Sequence, residues 1–157
     1  GQSQTISQPW IVARMTEAIL DGGQPEKVLE VGTGSGYQAA VLSQLVPKVF
    51  TVERIDELLK LARRRFHNLR MNNIYLRYAD GHLGWPGQAP FDGIIVTAVA
   101  QDVPQELLDQ LRIGGLLVIP VERNGQQRLI TVRRNEDGYE ETDLGAVVFV
   151  PLLSGLA

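Results

Sequence analysis

The sequence has no cysteine among its 157 residues and only two histidines. The absence of cysteine excludes a disulfide framework, a thiolate metal site and a cysteine nucleophile, and it is in keeping with a cytoplasmic protein. No apolar run approaches the roughly 20 residues that span a bilayer, and no basic and apolar segments mark a signal peptide. A net charge of −3 does not indicate a general polyanion binder. We therefore expect no metal, no membrane and no nucleic-acid partner.

The composition is that of an ordinary globular protein, with 44% hydrophobic and 21% charged residues. The length suits one domain, residues 1–157, with a single core. Five short strand patterns are found at 28–31, 49–52, 74–78, 91–97 and 116–119. They alternate with helical patterns, which predicts a mostly parallel sheet covered by helices on both faces.

The helical patterns consist of apolar residues that recur every three or four positions. They predict helices over 11–20, 37–45, 55–69 and 104–111. In the second of these helices, Tyr37 and Leu45 are among the apolar residues that we expect to face the core. Gly114 and Gly115 are expected to end the fourth helix, and Pro120 is expected to end the strand that follows it.

The alternation of strands and helices stops after residue 120. Two strand patterns, 128–133 and 145–150, follow with no helix between them, and a short turn from Asn135 to Gly138 separates them. A turn that short can join only antiparallel strands. The sequence therefore predicts an α/β fold, a doubly wound and mostly parallel sheet that ends in a C-terminal antiparallel strand pair.

A glycine-rich turn follows the first predicted strand, with glycines at Gly32, Gly34 and Gly36. Strand, glycine turn and helix form a general nucleotide-binding arrangement, because glycine lets a ligand approach the backbone and the helix N-terminus offers free N–H groups. The dinucleotide fingerprint places its third glycine one residue later, where this chain has Tyr37. The Gly-Lys-Ser/Thr of a P-loop is missing as well.

Glu30 lies at the end of the first predicted strand, just before this turn. A carboxylate there would repel the phosphates of a dinucleotide. S-adenosylmethionine has no phosphate, and its ammonium and sulfonium both tolerate a nearby carboxylate. The position of Glu30 therefore favours S-adenosylmethionine as the cofactor. The alternative is that Glu30 is an exposed strand-end residue and that the glycines only form a tight turn.

Two further acidic residues follow the second and third predicted strands. Glu53 lies about 20 residues after the first glycine, where a carboxylate can accept hydrogen bonds from both ribose hydroxyls; alternatively, it caps the next helix. Asp80 is followed by Gly81, and in methyltransferases an acidic residue at this position commonly accepts from the adenine amino group; alternatively, Asp80 belongs to a simple turn. Since the carboxyl ends of parallel strands meet at one edge of the sheet, we expect Glu30, Glu53 and Asp80 to share one site.

The most specific segment of the chain runs from Gln4 to Pro9 and contains Thr5, Ile6 and Ser7. Further characteristic segments are 11–13, 30–40, 52–54, 80–81, 89–92, 95–98, 114–115 and 149–152. Through these segments the whole chain resembles the protein-L-isoaspartate O-methyltransferase family. The resemblance implies a single S-adenosylmethionine-dependent methyltransferase domain with a Rossmann-like methyltransferase fold.

The resemblance also implies a reaction. Members of this family transfer a methyl group from S-adenosylmethionine to the free α-carboxylate of an L-isoaspartyl residue and leave S-adenosylhomocysteine. The methyl ester then collapses to a succinimide, which reopens partly to normal aspartate. Isoaspartyl-containing peptides and proteins are therefore the expected partners, and the expected role is protein repair.

The residue roles that follow from the resemblance fall into two groups. Ser7 matches the family's active-site serine, and Thr5, Ile6, Val150 and Pro151 match the substrate side. The implied cofactor-binding residues are Glu30, Gly32, Thr33, Gly34, Ser35, Gly36, Glu53, Arg54, Asp80, Gly81 and Thr97. We expect the Ser7 hydroxyl to orient the substrate carboxylate by a hydrogen bond, without a covalent intermediate. The alternative is that Thr5 and Ser7 only cap the first helix.

The chemistry agrees with the scarcity of candidate bases. A carboxylate is already ionised at neutral pH, so it needs no general base to attack a methyl sulfonium, and catalysis is mainly positioning. The two histidines, His67 and His82, are given no catalytic role, and His67 is expected at the surface. The run Arg63 to Arg65 is interpreted as a solvated helix face rather than a nucleic-acid site.

Several alternatives stay open at this point. A methyltransferase for a small molecule or RNA would keep the glycine turn but has no reason to carry the segment 5–9. A non-catalytic S-adenosylmethionine-binding module is the other alternative. A nicotinamide-dependent oxidoreductase is opposed by the glycine spacing and by Glu30. The family carries a helical segment ahead of the position of Gly1 that this sequence does not contain, so we expect weaker cofactor retention than in a longer form. We expect the protein to be a monomer.

Overall fold

The structure is a computed structural model that describes residues 9–157, so the predictions for Thr5, Ile6 and Ser7 lie outside the described residues. The helices are α1 Pro9–Leu20, α2 Tyr37–Ser43, α3 Asp56–Asn68 and α4 Gln105–Asp109. The strands are β1 Lys27–Val31, β2 Lys48–Glu53, β3 Ile74–Tyr78, β4 Phe91–Val96, β5 Leu111–Arg123, β6 Gln126–Asn135 and β7 Gly138–Ala146. Among residues 9–157, no helix combines the length and the apolar content that crossing a membrane requires.

The strands form one mixed sheet in the order β3-β2-β1-β4-β5-β6-β7. The pairs from β3 to β5 are parallel, whereas β5, β6 and β7 pair antiparallel. The predicted doubly wound sheet with an antiparallel end is therefore confirmed. The chain changes direction across the sheet at β1, whose neighbours are β2 and β4. Ligands in open α/β sheets bind at the carboxyl ends of the strands beside such a point.

Helices cover both faces of the sheet, because successive residues of a strand point to opposite faces. On one face, Val28 of β1 belongs to a buried cluster with Met15 of α1 and Phe66 of α3. On the other face, Leu29 belongs to a second cluster with Leu107 of α4. The central strands are thus buried on both sides, which explains why most of their residues are apolar, without a regular polar alternation.

The second helix buries a different face from the one predicted. Its buried residues are Gln38, Ala39 and Leu42. Tyr37 and Leu45 are instead 46% and 45% exposed, so the prediction that they face the core is wrong. Gln38 can be buried because its side-chain amide donates to the hydroxyl of Thr16 in α1, at 2.9 Å.

The fifth strand is much longer than predicted. Gly114 and Gly115 lie inside β5 rather than at the end of a helix, and the register against β4 shifts over this stretch, as it does where glycines form a bulge. Pro120 also lies inside β5, where it pairs with Leu129, and its carbonyl accepts from the backbone N–H of Ala100. Neither the two glycines nor Pro120 ends β5, because its hydrogen bonds to β4 and β6 outweigh the low strand propensity of these residues.

The predicted antiparallel strand pair is confirmed, but the predicted bounds of its second strand, 145–150, are wrong. Asn135 pairs with Gly138 across the predicted turn, and β7 begins directly there instead of at residue 145. Pairing starts at the turn because a two-residue connection already brings the two strands into register. Residues 147–151 leave β7, and Pro151 forms a parallel bridge with Val99, which follows β4.

Candidate active site

A cavity of about 870 Å³ lies at the carboxyl ends of the parallel strands. The predicted site residues that line it are Glu30, Gly32, Thr33, Gly34, Ser35, Glu53, Arg54, Gly81, Thr97, Val150 and Pro151. Gly36 and Asp80 are not among its lining residues. The structure therefore brings the predicted cofactor side and the predicted substrate side, as far as it describes them, to one place.

Two glycines of the turn, Gly32 and Gly36, are packed so closely that a side chain would not fit. Gly32 has a φ of 98°, and a Cβ there would collide with the hydroxyl of Thr97. That hydroxyl donates to the carbonyl of Gly32 at 2.8 Å. Gly36 has a φ of 90°, and its Cβ would come within 2.9 Å of the ring of Phe66 in α3. Only glycine allows these conformations and contacts together, so the turn lies tightly between β4 and α3.

Glu53 connects the glycine turn to the start of α3. Its Oε1 accepts from the N–H of Gly34 at 2.9 Å, and its Oε2 accepts from the N–H of Ile55 at 3.0 Å. The side chain therefore joins the turn to the residue that precedes α3, but no side chain of the described residues caps that helix, so the capping alternative is not realised. Each carboxylate oxygen can accept a further hydrogen bond, so binding to ribose hydroxyls stays a prediction that this geometry permits.

Glu30 is entirely buried, which rules out the alternative that it is an exposed strand-end residue. Its Oε1 accepts from the hydroxyl of Thr51 at 2.6 Å, whereas its Oε2 has no hydrogen-bond partner among the described residues. Burial raises the pKa of Glu30 to about 8; the hydrogen bond from Thr51 lowers it, and the nearby Glu53 carboxylate raises it. A buried carboxyl group with one unpaired oxygen is unfavourable, and a cation placed beside it would remove much of that penalty.

Asp80 has partners within the protein on both carboxylate oxygens. Oδ1 accepts from the backbone N–H of His82 at 2.9 Å and lies 3.2 Å from its ring Nδ1. Oδ2 accepts from the N–H of Gly155 at 2.9 Å. Burial raises the pKa of Asp80, but the hydrogen bonds from Gly155 and His82 outweigh this and hold that pKa below its usual range. The turn interpretation is thus realised, and a contact with adenine stays a prediction.

Arg54 holds the last residues of the chain against this edge of the sheet. Its guanidinium donates to the carbonyls of Ser154 and Gly155 at 3.3 and 3.2 Å, and its own carbonyl accepts from the N–H of Ala157 at 2.7 Å. The hydroxyl of Tyr78 donates to the carbonyl of Ala157 at 3.0 Å. The sequence analysis assigned Arg54 to the cofactor and did not detect this contact with residues 154–157.

The predicted substrate residues Val150 and Pro151 belong to a wall of the cavity that residues 147–151 form. The N–H of Val99 donates to the carbonyl of Val150 at 2.8 Å. On the other side, the amide of Gln127 in β6 accepts from the N–H of Phe149 at 2.6 Å and donates to its carbonyl at 3.2 Å. Gln127 was missed in the sequence, since nothing in the sequence points to a contact across 22 positions.

Arg65 is a second residue that the sequence analysis missed. Its guanidinium donates to the carbonyl of Ser35 at 2.8 Å, and it lines the cavity. Arg63, Arg64 and His67 are exposed, as predicted. The interpretation of the arginine run as purely solvated is therefore incomplete for Arg65. Within residues 9–157, no group of three or more His, Asp or Glu side chains is placed to hold a metal ion.

Solved structures of methyltransferases share this fold. A protein-L-isoaspartate O-methyltransferase superposes with a TM-score of 0.88 at 27% identity, over 97% of this chain and 49% of that one. A Plasmodium falciparum structure assigned to the same kind of enzyme, in complex with S-adenosyl-L-homocysteine, also gives a TM-score of 0.88, at 24% identity. That match covers 98% of this chain and 78% of the other, and it supports the fold alone.

The sequence comparisons go further than the fold. The protein-L-isoaspartate O-methyltransferase of Halorhodospira halophila is 56% identical over 155 residues, 99% of this chain and 70% of that protein. The protein of the same name from Pseudomonas fluorescens is 57% identical, over 99% of this chain and 74% of its own length. A family model described as protein-L-isoaspartate(D-aspartate) O-methyltransferase matches residues 1–157. The chain therefore belongs to the protein-L-isoaspartate(D-aspartate) O-methyltransferase family.

Proposed function

We propose that this chain transfers a methyl group from S-adenosylmethionine to the free α-carboxylate of L-isoaspartyl residues in damaged proteins. The observation that carries the proposal is its 56% and 57% identity, over 99% of the chain, to two proteins named for this activity. Membership of this family argues against the nicotinamide-dependent oxidoreductase. A methyltransferase for a small molecule or RNA and a non-catalytic module are the alternatives that the experiment below separates.

The cavity supports S-adenosylmethionine as the cofactor. Glu30 offers an unpaired, buried carboxyl oxygen, which suits a ligand with an ammonium and a sulfonium and opposes one with phosphates. The close-packed glycine turn leaves backbone available to a ligand, and Glu53 retains acceptor capacity beside it. The residues present therefore fit this cofactor, and Glu30, Glu53 and residues 32–35 of the turn would hold it.

The chemistry needs little from the protein beyond positioning. When bound, the cofactor supplies a methyl group on a positively charged sulfur, which makes that carbon electrophilic. The acceptor carboxylate is ionised at neutral pH, so no side chain has to remove a proton. This agrees with the cavity lining, which contains neither His67 nor His82. The wall 147–151 would align the acceptor and exclude water from it.

The proposed substrate side combines residues that the structure describes with residues whose roles are proposed from the family resemblance. Val150 and Pro151 line the cavity, and their backbone is held by Val99 on one side. Ser7, Thr5 and Ile6 lie outside the described residues, and their roles rest on the family resemblance. We propose that the Ser7 hydroxyl orients the acceptor carboxylate, and a Ser7→Ala variant with unchanged turnover and affinity for an isoaspartyl peptide would refute this role.

One assay tests the function. The protein is incubated with methyl-labelled S-adenosylmethionine and with two peptides that differ only in an aspartyl or an isoaspartyl linkage. We expect a base-labile methyl ester on the isoaspartyl peptide alone. Label in both peptides would contradict the proposed acceptor. Label in neither, together with cofactor binding measured by calorimetry, would favour the non-catalytic module or a different substrate.

The oligomeric state, the compartment and the absence of other partners complete the proposal. We propose that the protein acts as a monomer, in the cytoplasm and without a metal ion, membrane or nucleic acid. The net charge of −3 supports the proposal that no nucleic acid binds, and the absence of cysteine supports the cytoplasm and the lack of a thiolate metal site. Sedimentation of the purified protein tests the monomer, and full activity after treatment with a chelator tests independence of metal.

A further inference from the structure

Thr51 occupies a central position of β2 that the sequence analysis did not assign to the site. It is entirely buried and pairs in register with Glu30 of β1, so the two side chains point to the same face of the sheet. Val28 and Val49, two positions earlier on the same face of the two strands, are apolar and buried. A hydroxyl in such surroundings is unfavourable unless it is hydrogen-bonded.

The Thr51 hydroxyl is hydrogen-bonded on two sides. Its oxygen lies 2.6 Å from Oε1 of Glu30 and 2.7 Å from the hydroxyl oxygen of Thr33 in the glycine turn. A hydroxyl has one hydrogen, so when Glu30 is ionised and only accepts, Thr51 donates to Glu30 and Thr33 donates to Thr51. The three side chains then form one hydrogen-bonded chain from the glycine turn to the carboxylate.

The row of hydrogen-bonded side chains is incomplete at Glu30. Oε2 has no partner among the described residues, and Glu30 lines the cavity. The charged group that acts on Glu30 is the carboxylate of Glu53, which has the same sign and opposes ionisation. A cationic ligand in the cavity would therefore favour the ionised form of Glu30. It would also fix the direction of the hydrogen bonds, so that Thr33 donates to Thr51 and Thr51 donates to Glu30.

We propose that Thr51 is a positioning residue of the cofactor site, which couples the charge of Glu30 to the conformation of the glycine turn through Thr33. Thr51 does not line the cavity, so it acts through its two neighbours and not by contact with the cofactor. The proposal rests on the proposed function, since it takes cationic S-adenosylmethionine as the ligand that favours the ionised carboxylate.

Two substitutions separate the hydroxyl from the shape of the side chain. Thr51→Val keeps the branched shape and removes the hydroxyl, whereas Thr51→Ser keeps the hydroxyl. We expect Thr51→Val to weaken S-adenosylmethionine binding by about tenfold and Thr51→Ser to bind within about threefold of the wild type. Isothermal titration calorimetry measures both affinities, and thermal unfolding checks that each variant is folded.

The pH dependence of affinity distinguishes positioning from a role in folding. The Thr51 hydroxyl stabilises ionised Glu30, so its loss disfavours ionisation. The pH at which affinity for S-adenosylmethionine rises should therefore move upward in Thr51→Val and stay unchanged in Thr51→Ser. A purely structural role would lower the melting temperature of Thr51→Val without moving this pH.

Two results would overturn the proposal: Thr51→Val with wild-type affinity and pH profile, or Thr51→Ser as impaired as Thr51→Val. Its failure can be told apart from failure of the proposed function. If the wild-type protein neither binds S-adenosylmethionine nor methylates an isoaspartyl peptide, the function fails, and the role of Thr51 fails with it. If the wild type is active and Thr51→Val equals it, only the role of Thr51 is wrong.

Discussion

The two halves of the sheet place carboxyl groups in opposite surroundings. In the parallel half, Glu30 is entirely buried with one unpaired oxygen, and burial raises its pKa to about 8. In the antiparallel half, Glu141 of β7 accepts two hydrogen bonds of 3.0 Å from Arg123, and these hold its pKa below the usual range. Among the described residues, Glu30 lacks a cationic partner, which a ligand can supply, whereas Glu141 already has one in Arg123.

The difference follows from what each half has to do. The antiparallel half ends in β7, an edge strand whose side chains are mostly exposed, and charged side chains there discourage pairing with another sheet edge. The parallel half ends in a cavity, where an incompletely satisfied group favours binding of a complementary ligand at the expense of stability. Four measurements test this contrast, and they are ordered from the largest expected effect to the smallest.

The largest effect should be on the pH dependence of stability. The pKa of Glu30 is about 8 in the folded protein, above its ordinary value of 4.5, so the folded state binds the extra proton between these values. The free energy of unfolding should therefore be highest near pH 4.5 and fall by a few kcal/mol as the pH rises to 8. Urea unfolding of the protein without cofactor, at a series of pH values, measures this decline.

Glu30→Gln supplies the control for that measurement. A neutral amide resembles the protonated acid and cannot ionise, so the variant should lose most of the decline and be more stable than the wild type at pH 8. The decline should persist in Glu141→Gln, because Glu141 titrates below pH 4.5. Equal slopes in the wild type and Glu30→Gln would show that Glu30 is not the group responsible.

The second effect concerns the cofactor. Glu30→Gln removes the negative charge that a cationic ligand would meet, so we expect S-adenosylmethionine to bind roughly tenfold more weakly or worse, although the variant is more stable. Glu141→Gln should bind with unchanged affinity. Calorimetry on both variants measures the contrast directly. A Glu30→Gln variant that binds as tightly as the wild type would remove Glu30 from the cofactor site.

The sequence predicts the parallel half of the fold well because its strands are buried on both faces. The strand predicted at 91–97 corresponds to β4 at Phe91–Val96, and its apolar run 94–96 shows no polar alternation because both of its faces are buried. The antiparallel half is predicted less well. Gly114, Gly115 and Pro120 resemble breaks in the sequence, and only pairing with neighbouring strands decides that β5 continues through them.

The candidate site shows a similar division. Glu30 and Glu53 can be identified because each follows an apolar run and precedes a loop, which places it at the carboxyl edge. Contacts between distant segments leave no such pattern. Arg65 reaches Ser35 across 30 positions, and Gln127 holds Phe149 across 22. The sequence therefore indicates the chemistry of the site but not the side chains that hold its walls.

The third effect tests whether the antiparallel half contributes to the site. Gln127 of β6 holds the backbone of Phe149 through both ends of its amide. Gln127→Leu should loosen the wall 147–151 and raise the KM for an isoaspartyl peptide by about threefold to tenfold, with the affinity for S-adenosylmethionine unchanged. Gln127→Glu keeps the acceptor but loses the donor, so its KM should be intermediate. A loss of cofactor affinity in Gln127→Leu would contradict this division of roles.

The smallest effect should come from the ion pair between Arg123 and Glu141. Both side chains are exposed, at 46% and 44%, and exposed pairs contribute at most about 1 kcal/mol. A double-mutant cycle with Arg123→Gln and Glu141→Gln should therefore give a coupling below this limit. The coupling should shrink further in 1 M salt, because the Debye length falls to about 3 Å.

Neither substitution should change cofactor affinity or peptide KM, since the pair lies outside the cavity. A larger coupling that resists salt would mean that this edge is less solvated than its exposure indicates, and the contrast with Glu30 would then be one of partners rather than of burial.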